Sequence, residues 1–467
     1  MNIKNNKGIT VILVLVFAGV FGLSVSALMS FIFSQSKLGA SKVVRERALG
    51  VAEAGLEYYH WFLAHYSDDT QDGTGLPGPY VHTYDDPEAG TIGQYSLDVV
   101  GNTACGVVQS IDVTSEGTID TDTRFTRTVF GRHARPSVAE YAYVIGADVW
   151  AGPDRNITGP YHSNGGVRMD GISNSIVTSG VATWSASFNC NGGNPSDGVC
   201  GDGPNTVLWQ YPVPAISFTD MAADFANLKM YASANGIYLA PYGSTEISDG
   251  GYLTAVDGYH LVFNADGTVD IYQVTDTSGY WGYRSGIGWT PDYHVIDTET
   301  FIERRSIPSD CALVFVEDKV WIEGVVKGKV TIVAADLVNG SYNPDVILKD
   351  DISYSTQDGS DGLTVISEFG IYIPPLSPDD LSLNGIFVAQ GDRFGRPYYA
   401  SDIKTQLTVR GTIVSRERVG TAWNCSGSLC SGYANRDNSY DRLQTTNPPP
   451  FTPTSTTTPR YILWQEL

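Results

Sequence analysis

The residues whose types and spacing bear on chemistry are six cysteines, a set of aspartates and a few arginines. Cys190 and Cys200 bracket NGGNPSDGV, and Cys425 and Cys430 bracket SGSL. Loops rich in Gly, Asn, Pro and Asp bring strand ends within disulfide range, so these are the two candidate disulfides. Cys105 and Cys311 remain; either they pair across domains or both are free. The spacings are not those of a zinc site, and no histidine lies close to either pair. Asp350, Asp351, Asp358 and Asp361 lie in KDDISYSTQDGSDG. Oxygen-rich loops of this kind hold calcium, but the spacing matches neither an EF-hand nor a nonapeptide repeat, and Asp-Gly turns account for the composition. Calcium is the single cofactor candidate. Asp154, Asp170, Asp392 and Asp402, with Arg393 and Arg396, are the residue types a glycosidase or lyase uses. Nothing singles out a pair among them, and GxSxG, HExxH and P-loop motifs are missing, so no enzyme activity is expected.

The element that must carry these groups to their place of work is read from the N-terminus. After MNIKNNKG, the run ITVILVLVFAGVFGLSVSALMSFIF to Phe33 contains no charge. As a helix its residues extend roughly 37 Å, enough to cross a membrane with some tilt. It is too long for the apolar region of a cleaved secretory signal. From Ser34 to Tyr66 there is no proline, and Leu38, Val44, Leu49, Ala52, Leu56, Tyr59 and Leu63 give a loose apolar stripe. The expectation is one continuous helix over 9–66, lipid-compatible in its first half and amphipathic in its second.

A basic leader ending in Gly8 and followed by Ile9-Thr-Val-Ile-Leu resembles the start of a type IV prepilin. Ala48 to Glu57 (ALGVAEAGLE) resembles the corresponding stretch of PilX-like minor pilins. The resemblance covers the first 66 residues or so. It implies a leader 1–8, cut by a prepilin peptidase between Gly8 and Ile9, and a helix that packs with other pilins, with Glu53 and Glu57 on its surface. Shaft-forming pilins carry Glu at the fifth mature position, where this chain has Leu13. In the family that Glu answers the N-terminal ammonium of a neighbouring subunit, and a buried ammonium without a partner is costly. Leu13 therefore points to a tip or initiation position. Counting Lys and Arg on the two sides of the span would place the long side in the cytoplasm. The resemblance and the cysteine pairs oppose that, and favour a single-pass cytoplasmic-membrane protein whose C-terminal bulk lies outside, then reaches the pilus or cell surface.

Fifty-one acidic against 29 basic residues give a net charge of −22. No basic stripe exists to neutralise phosphates, which argues against nucleic acid. Abundant Gly, Pro and Tyr fit a turn-dense, mainly β ectodomain. Region 67–136 opens with polar turns (67–91), followed by three alternating strands, Gln94 to Val100, Val107 to Thr114 and Arg124 to Arg132. They form a small antiparallel sheet to cover the helix, as in a pilin head. Regions 137–204 and 305–440 carry short Val/Ile-rich runs with Gly or Asn corners, the pattern of a parallel β-helix-like ectodomain. An antiparallel β-sandwich is the competing fold. Between them, 205–304 reads as an α+β insertion: a helix over Thr219 to Ala234 capped by Thr219 or Asp220, a hairpin around Asn264 to Gly267, and an aromatic cluster of Tyr280, Trp281, Tyr283, Trp289 and Tyr293. That cluster either packs a subdomain or presents rings to sugars or peptides. The tail 441–467 contains a Pro/Thr-rich stretch, expected to be extended and mobile, before RYILWQEL, expected to dock as an edge strand. Two functions fit these readings. One is a minor pilin-like filament component displaying its ectodomain for adhesion or surface contact. The other is a membrane-anchored surface protein that binds or cleaves polysaccharide.

Overall fold

A computed structural model describes residues 7–88, 90–242, 246–249, 252–255, 257–338 and 344–467. Of the expected leader 1–8, residues 1–6 lie outside these. The chain divides into two compact units, one of residues 1–101, 111–133 and 463–467, the other of 102–110 and 134–462.

The first unit is built on α1 (Lys7–His65), a single uninterrupted helix. Its 59 residues extend about 88 Å. Its C-terminal part lies on a five-stranded sheet in the order β1 (Tyr80–Asp86), β2 (Gly90–Ala104), β3 (Val107–Ile119), β4 (Thr126–Ala134) and the C-terminal strand Arg460–Glu466. β1 and β2 are antiparallel, as are β3 and β4. Alternation puts Tyr95, Leu97, Ile111, Val113 and Val129 on the buried face. Opposite them the helix buries Ala48, Val51, Ala52, Leu56, Tyr59 and Leu63. The stripe read from sequence is thus correct from Ala52 onward, whereas Leu38 is exposed because it precedes the sheet. β1 falls in the stretch read as polar turns: its Tyr and Val alternate with polar residues over only seven positions. RYILWQEL docks as the edge strand expected of it, with Arg127 ion-paired to Glu466.

Helix and sheet approach closely at two glycines. A Cβ on Gly55 would sit 2.3 Å from Ser115 Oγ, and one on Gly117 would sit 2.3 Å from the Ala48 carbonyl and 2.4 Å from the Ala52 amide nitrogen. Backbone cannot yield there as a side-chain tip can. Gly117→Ala is expected to destabilise the first unit by about 1–3 kcal/mol, the usual cost of overpacking. An unchanged denaturant midpoint would mean the helix does not rest on β3.

The second unit is dominated by parallel ladders. One runs through 237–239, 313–316, 329–334, 362–367, 386–389, 412–415, 143–145, 161–163, 177–179 and 209–210, each strand parallel to the next. A second runs through 259–263, 320–326, 346–354, 380–385, 406–411, 432–439, 155–158 and 172–173. A sandwich would need antiparallel sheets here. The chain enters this stack in its middle, at 143–145, builds outward to 209–210, and resumes at the far end with 237–239. It then returns strand by strand until 412–415 pairs with 143–145. Segments 137–204 and 305–440, expected as one stack interrupted by an insertion, do share these ladders. Strands 237–239 and 259–263, read as part of an insertion, belong to the ladders; the antiparallel hairpin Thr268–Arg284 with Gly288–Ser306 is joined to them where 269–274 pairs antiparallel with 258–263.

Strand residues alternate between two buried faces. Val314, Val316, Ile332, Val365 and Ile413 join the inner core, while Leu313, Phe315, Val333, Ile366 and Val414 point outward. The outward face is covered by α2 (Phe225–Asn235) through Leu228 and Ala232, with Met221 and Phe451 beside it. α2 begins later than the sequence suggests. Its cap is Asp224, whose carboxylate accepts from the Asn227 amide at 3.1 Å, in place of Thr219 or Asp220. The Pro/Thr-rich tail is pinned rather than mobile. Asn447 accepts from Lys329 Nζ at 2.6 Å, Thr452 bonds Thr364 at 2.6 Å, and the Phe451 amide donates to Gln109 at 2.9 Å. Exposed apolar strand faces need a cover, and a segment without helix or sheet demands of its own supplies it.

Candidate functional site

In the first unit, the distinctive surface is the N-terminal part of α1. Ile9 through Phe33 stand exposed, Leu13 at 54%. The helix is long and apolar enough to cross a membrane. Two serines in this stretch are internally satisfied: Ser24 and Ser26 donate to the carbonyls of Val20 and Gly22, both at 2.9 Å. Gly8 and Ile9 lie in the first turn of the helix. Glu53 and Glu57 are exposed, on the side away from the sheet. Side chains below the helix fasten the loop at 66–79. Tyr59 donates to the Asp69 carbonyl at 2.6 Å, and His82 pairs with Asp72 at 2.7 Å.

In the second unit, Cys190 is joined to Cys200, Cys425 to Cys430 and Cys105 to Cys311. The aspartates weighed for calcium are engaged with donors. Asp361 accepts from Gly328 at 2.7 Å and from Thr356 at 2.6 Å, Asp358 from Ser360 at 2.9 Å, and Asp351 from Ser382 at 2.8 Å. Asp350 accepts from the Asp351 amide at 2.7 Å. Among the described residues no three His, Cys, Asp or Glu side chains converge as a metal site. The aromatic cluster is split by the hairpin register, which sets Tyr283 against Trp289 and leaves Trp281 exposed. Tyr283 meets Trp423 edge-on at 5.7 Å, and Trp289 meets Tyr398 at 5.5 Å.

Beside these rings lies a cleft of about 360 Å3 lined by six arginines: Arg155, Arg284, Arg393, Arg396, Arg418 and Arg436. Asp154 is the one carboxylate in the lining. Asp154 pairs with Arg436, Asp392 with Arg393 at 3.1 Å, and Asp402 with Arg396. Arg155 donates to the Tyr143 hydroxyl at 2.8 Å, and Arg418 lies 4.8 Å from the Phe188 ring. Neither Arg155 nor Arg418 has a carboxylate partner among the described residues. Burial, then the neighbouring Arg393 charge, pushes the Arg418 guanidinium down. Burial and Arg155 push Arg436 down to about 10, against Asp154. A buried polar layer holds the floor. Tyr372 donates to Asp392 and lies under Arg284, with the Arg284 carbon 4.8 Å from its ring centre. Next to it, His294 pairs with Asp292 at 2.9 Å, and Tyr399 donates to the same Asp292. Burial opposes the charge on Asp292, but His294, Arg284 and the Tyr399 hydroxyl outweigh it and hold the carboxyl at about 2.

Sequence reading weighed Arg393 and Arg396 with Asp154, Asp170, Asp392 and Asp402. The structure brings Asp154 and both arginines to this cleft, with Asp392 and Asp402 behind them, while Asp170 binds Arg168 and the Trp150 indole instead. Arg155, Arg284, Arg418 and Arg436 were missed. They come from separate strands and corners, and the one available signal was their scarcity in so acidic a chain.

No protein-family model and no curated protein matches the chain. Among solved structures, it is similar to the competence-associated pilin ComZ from Thermus thermophilus, at 13% identity over 91% of this chain and 98% of that one, with a TM-score of 0.31.

Proposed function

We propose that this chain is a PilX-like minor pilin, a component of a type IV pilus or related filament that displays its second unit for adhesion or surface contact. The observation that carries the reading is the division of α1. One half is apolar, exposed and uncharged, and the other is gripped by an antiparallel sheet through Gly55 and Gly117. An anchor alone needs no such rigid continuation. A filament subunit does, because the helix that leaves the membrane must then pack among other pilins, with Glu53 and Glu57 available on its free side. Leu13 supports a tip or initiation position, since a subunit with no neighbour above it has no ammonium to neutralise. Three disulfides fit an oxidising, extracytoplasmic location.

Mass spectrometry of the N-terminus of the protein from its native membrane tests this. Cleavage between Gly8 and Ile9 by a prepilin peptidase, with a methylated Ile9 amine, is expected, and Gly8→Arg should leave the leader attached. An intact leader would reduce the helix to a plain anchor. Cross-linking at regular intervals along the shaft would overturn the tip position.

A further inference from the structure

We infer that the arginine-lined cleft of the second unit is a binding site for a sugar acid, a carboxylate carried on a hydroxyl-rich ring, such as a uronic acid residue of an acidic polysaccharide. This inference does not rest on the filament reading. Six guanidinium groups in one cleft are exceptional in a chain with 29 basic residues and a net charge of −22. Gathering like charges is unfavourable, and the Arg418 and Arg436 guanidinium groups are pushed down first by burial and then by their neighbours Arg393 and Arg155. Asp154 pairs with Arg436, Asp392 with Arg393 and Asp402 with Arg396. Arg155 is 5% exposed and its Nε has no hydrogen-bond partner. Arg396, 2% exposed, likewise leaves its Nε without one. Unfilled donors on buried guanidinium groups await an acceptor, and the planar fork matches a carboxylate bidentately.

The rest of the lining indicates what carries the carboxylate. Trp150, Phe188 and Trp423 supply ring surface, and Ser187, Ser285 and Asn424 supply small hydrogen-bonding groups. Rings with scattered polar partners suit the alternating apolar faces and hydroxyls of a sugar. The volume is that of a small-ligand pocket, and the net charge of −22 disfavours a long polyphosphate. Asp154 opposes an anion, and its pairing with Arg436 limits that opposition. The Tyr372–Asp392 and Tyr399–Asp292 bonds fix the floor before any ligand arrives.

The test is calorimetric titration of the full chain in detergent micelles with an oligogalacturonate, a neutral oligosaccharide of equal length and a single-stranded oligonucleotide. The uronate oligomer should bind with salt-dependent affinity and the neutral one should not. Arg418→Gln should weaken uronate binding by roughly tenfold or more, the scale of a lost bidentate charged contact. Its melting temperature should stay level or rise, because Arg418 has no carboxylate to lose and Arg393 no longer opposes it. Arg418→Lys, which keeps the charge without the fork, should weaken binding less. No uronate binding, equal binding of the neutral oligomer, tighter binding of the oligonucleotide, or indifference to both substitutions at Arg418 would each overturn the assignment.

Discussion

Replacing Cys105 and Cys311 together by alanine is expected to lower the stability of the second unit by up to about 5 kcal/mol, the chain-entropy value for so long a closed loop. The two residues are 206 positions apart, whereas the other disulfides span 10 and 5. By the same relation each of those contributes about 2–3 kcal/mol. Packing adds to the difference. Cys311 is fully buried against Leu313 and Phe315, and the Cys105 amide donates to the Asp310 carbonyl at 2.8 Å. Urea unfolding of the double variant, followed by tryptophan fluorescence, measures the loss. A midpoint equal to that of the Cys425→Ala/Cys430→Ala variant would show that loop length does not govern the effect.

The second large effect is tied to pH. Burial pushes the Asp345 carboxyl from its ordinary 3.8 up to about 7, with Arg284, Lys319 and the Gly370 amide only partly offsetting it. The folded chain therefore holds a proton there that the unfolded chain releases. Stability linked to this group is complete below pH ~4 and is lost as pH rises toward 7. At ~1.36 kcal/mol per unit, the loss approaches about 4 kcal/mol above pH 7. Asn cannot ionise and still offers an oxygen to the Gly370 amide, which now lies 3.1 Å from Asp345 Oδ1. Asp345→Asn should therefore be markedly more stable than the parent at pH 8, and the gap should shrink to about a third at pH 5. His133 and His294, each pushed down to about 4 chiefly by burial, act in the opposite sense, losing stability as pH falls from 6.5 toward 4. The difference between variant and parent cancels them. Thermal melts across pH 5–8 decide the matter, and a gap that does not vary with pH would show that Asp345 stays ionised.

What sequence reveals about this chain follows the range of the interactions. α1 was legible from composition alone, as were Cys190–Cys200 and Cys425–Cys430, because their determinants lie within one segment. So were most short strands, whose Val and Ile runs announce burial on both faces. The order in which the stack is threaded was not legible, because Ile413 pairs with Tyr143 and no local pattern records a partner so distant. The tail misled for a similar reason: Pro and Thr predict mobility when nothing covers them, yet Phe451 and Thr452 are held by residues of other strands. The arginine cleft collects groups from Arg155 to Arg436; Arg393 and Arg396 stood out in GDRFGRPYY, while the other four are unremarkable in their own segments.

The threading of the parallel stack from its middle has a consequence for the order in which the protein can mature. During synthesis, 143–145 and 155–158 emerge early, yet the strands that flank them, 412–415 and 432–439, emerge near the end. Until then the early coils present an unsatisfied parallel edge, a template for pairing with other chains. Cys105 likewise waits for Cys311. Contacts this remote make closure slow, and the half-built stack is vulnerable throughout that interval. Such a chain calls for a chaperone that shields a strand edge, and a truncation before residue 412 should yield an aggregating product rather than a shorter stack.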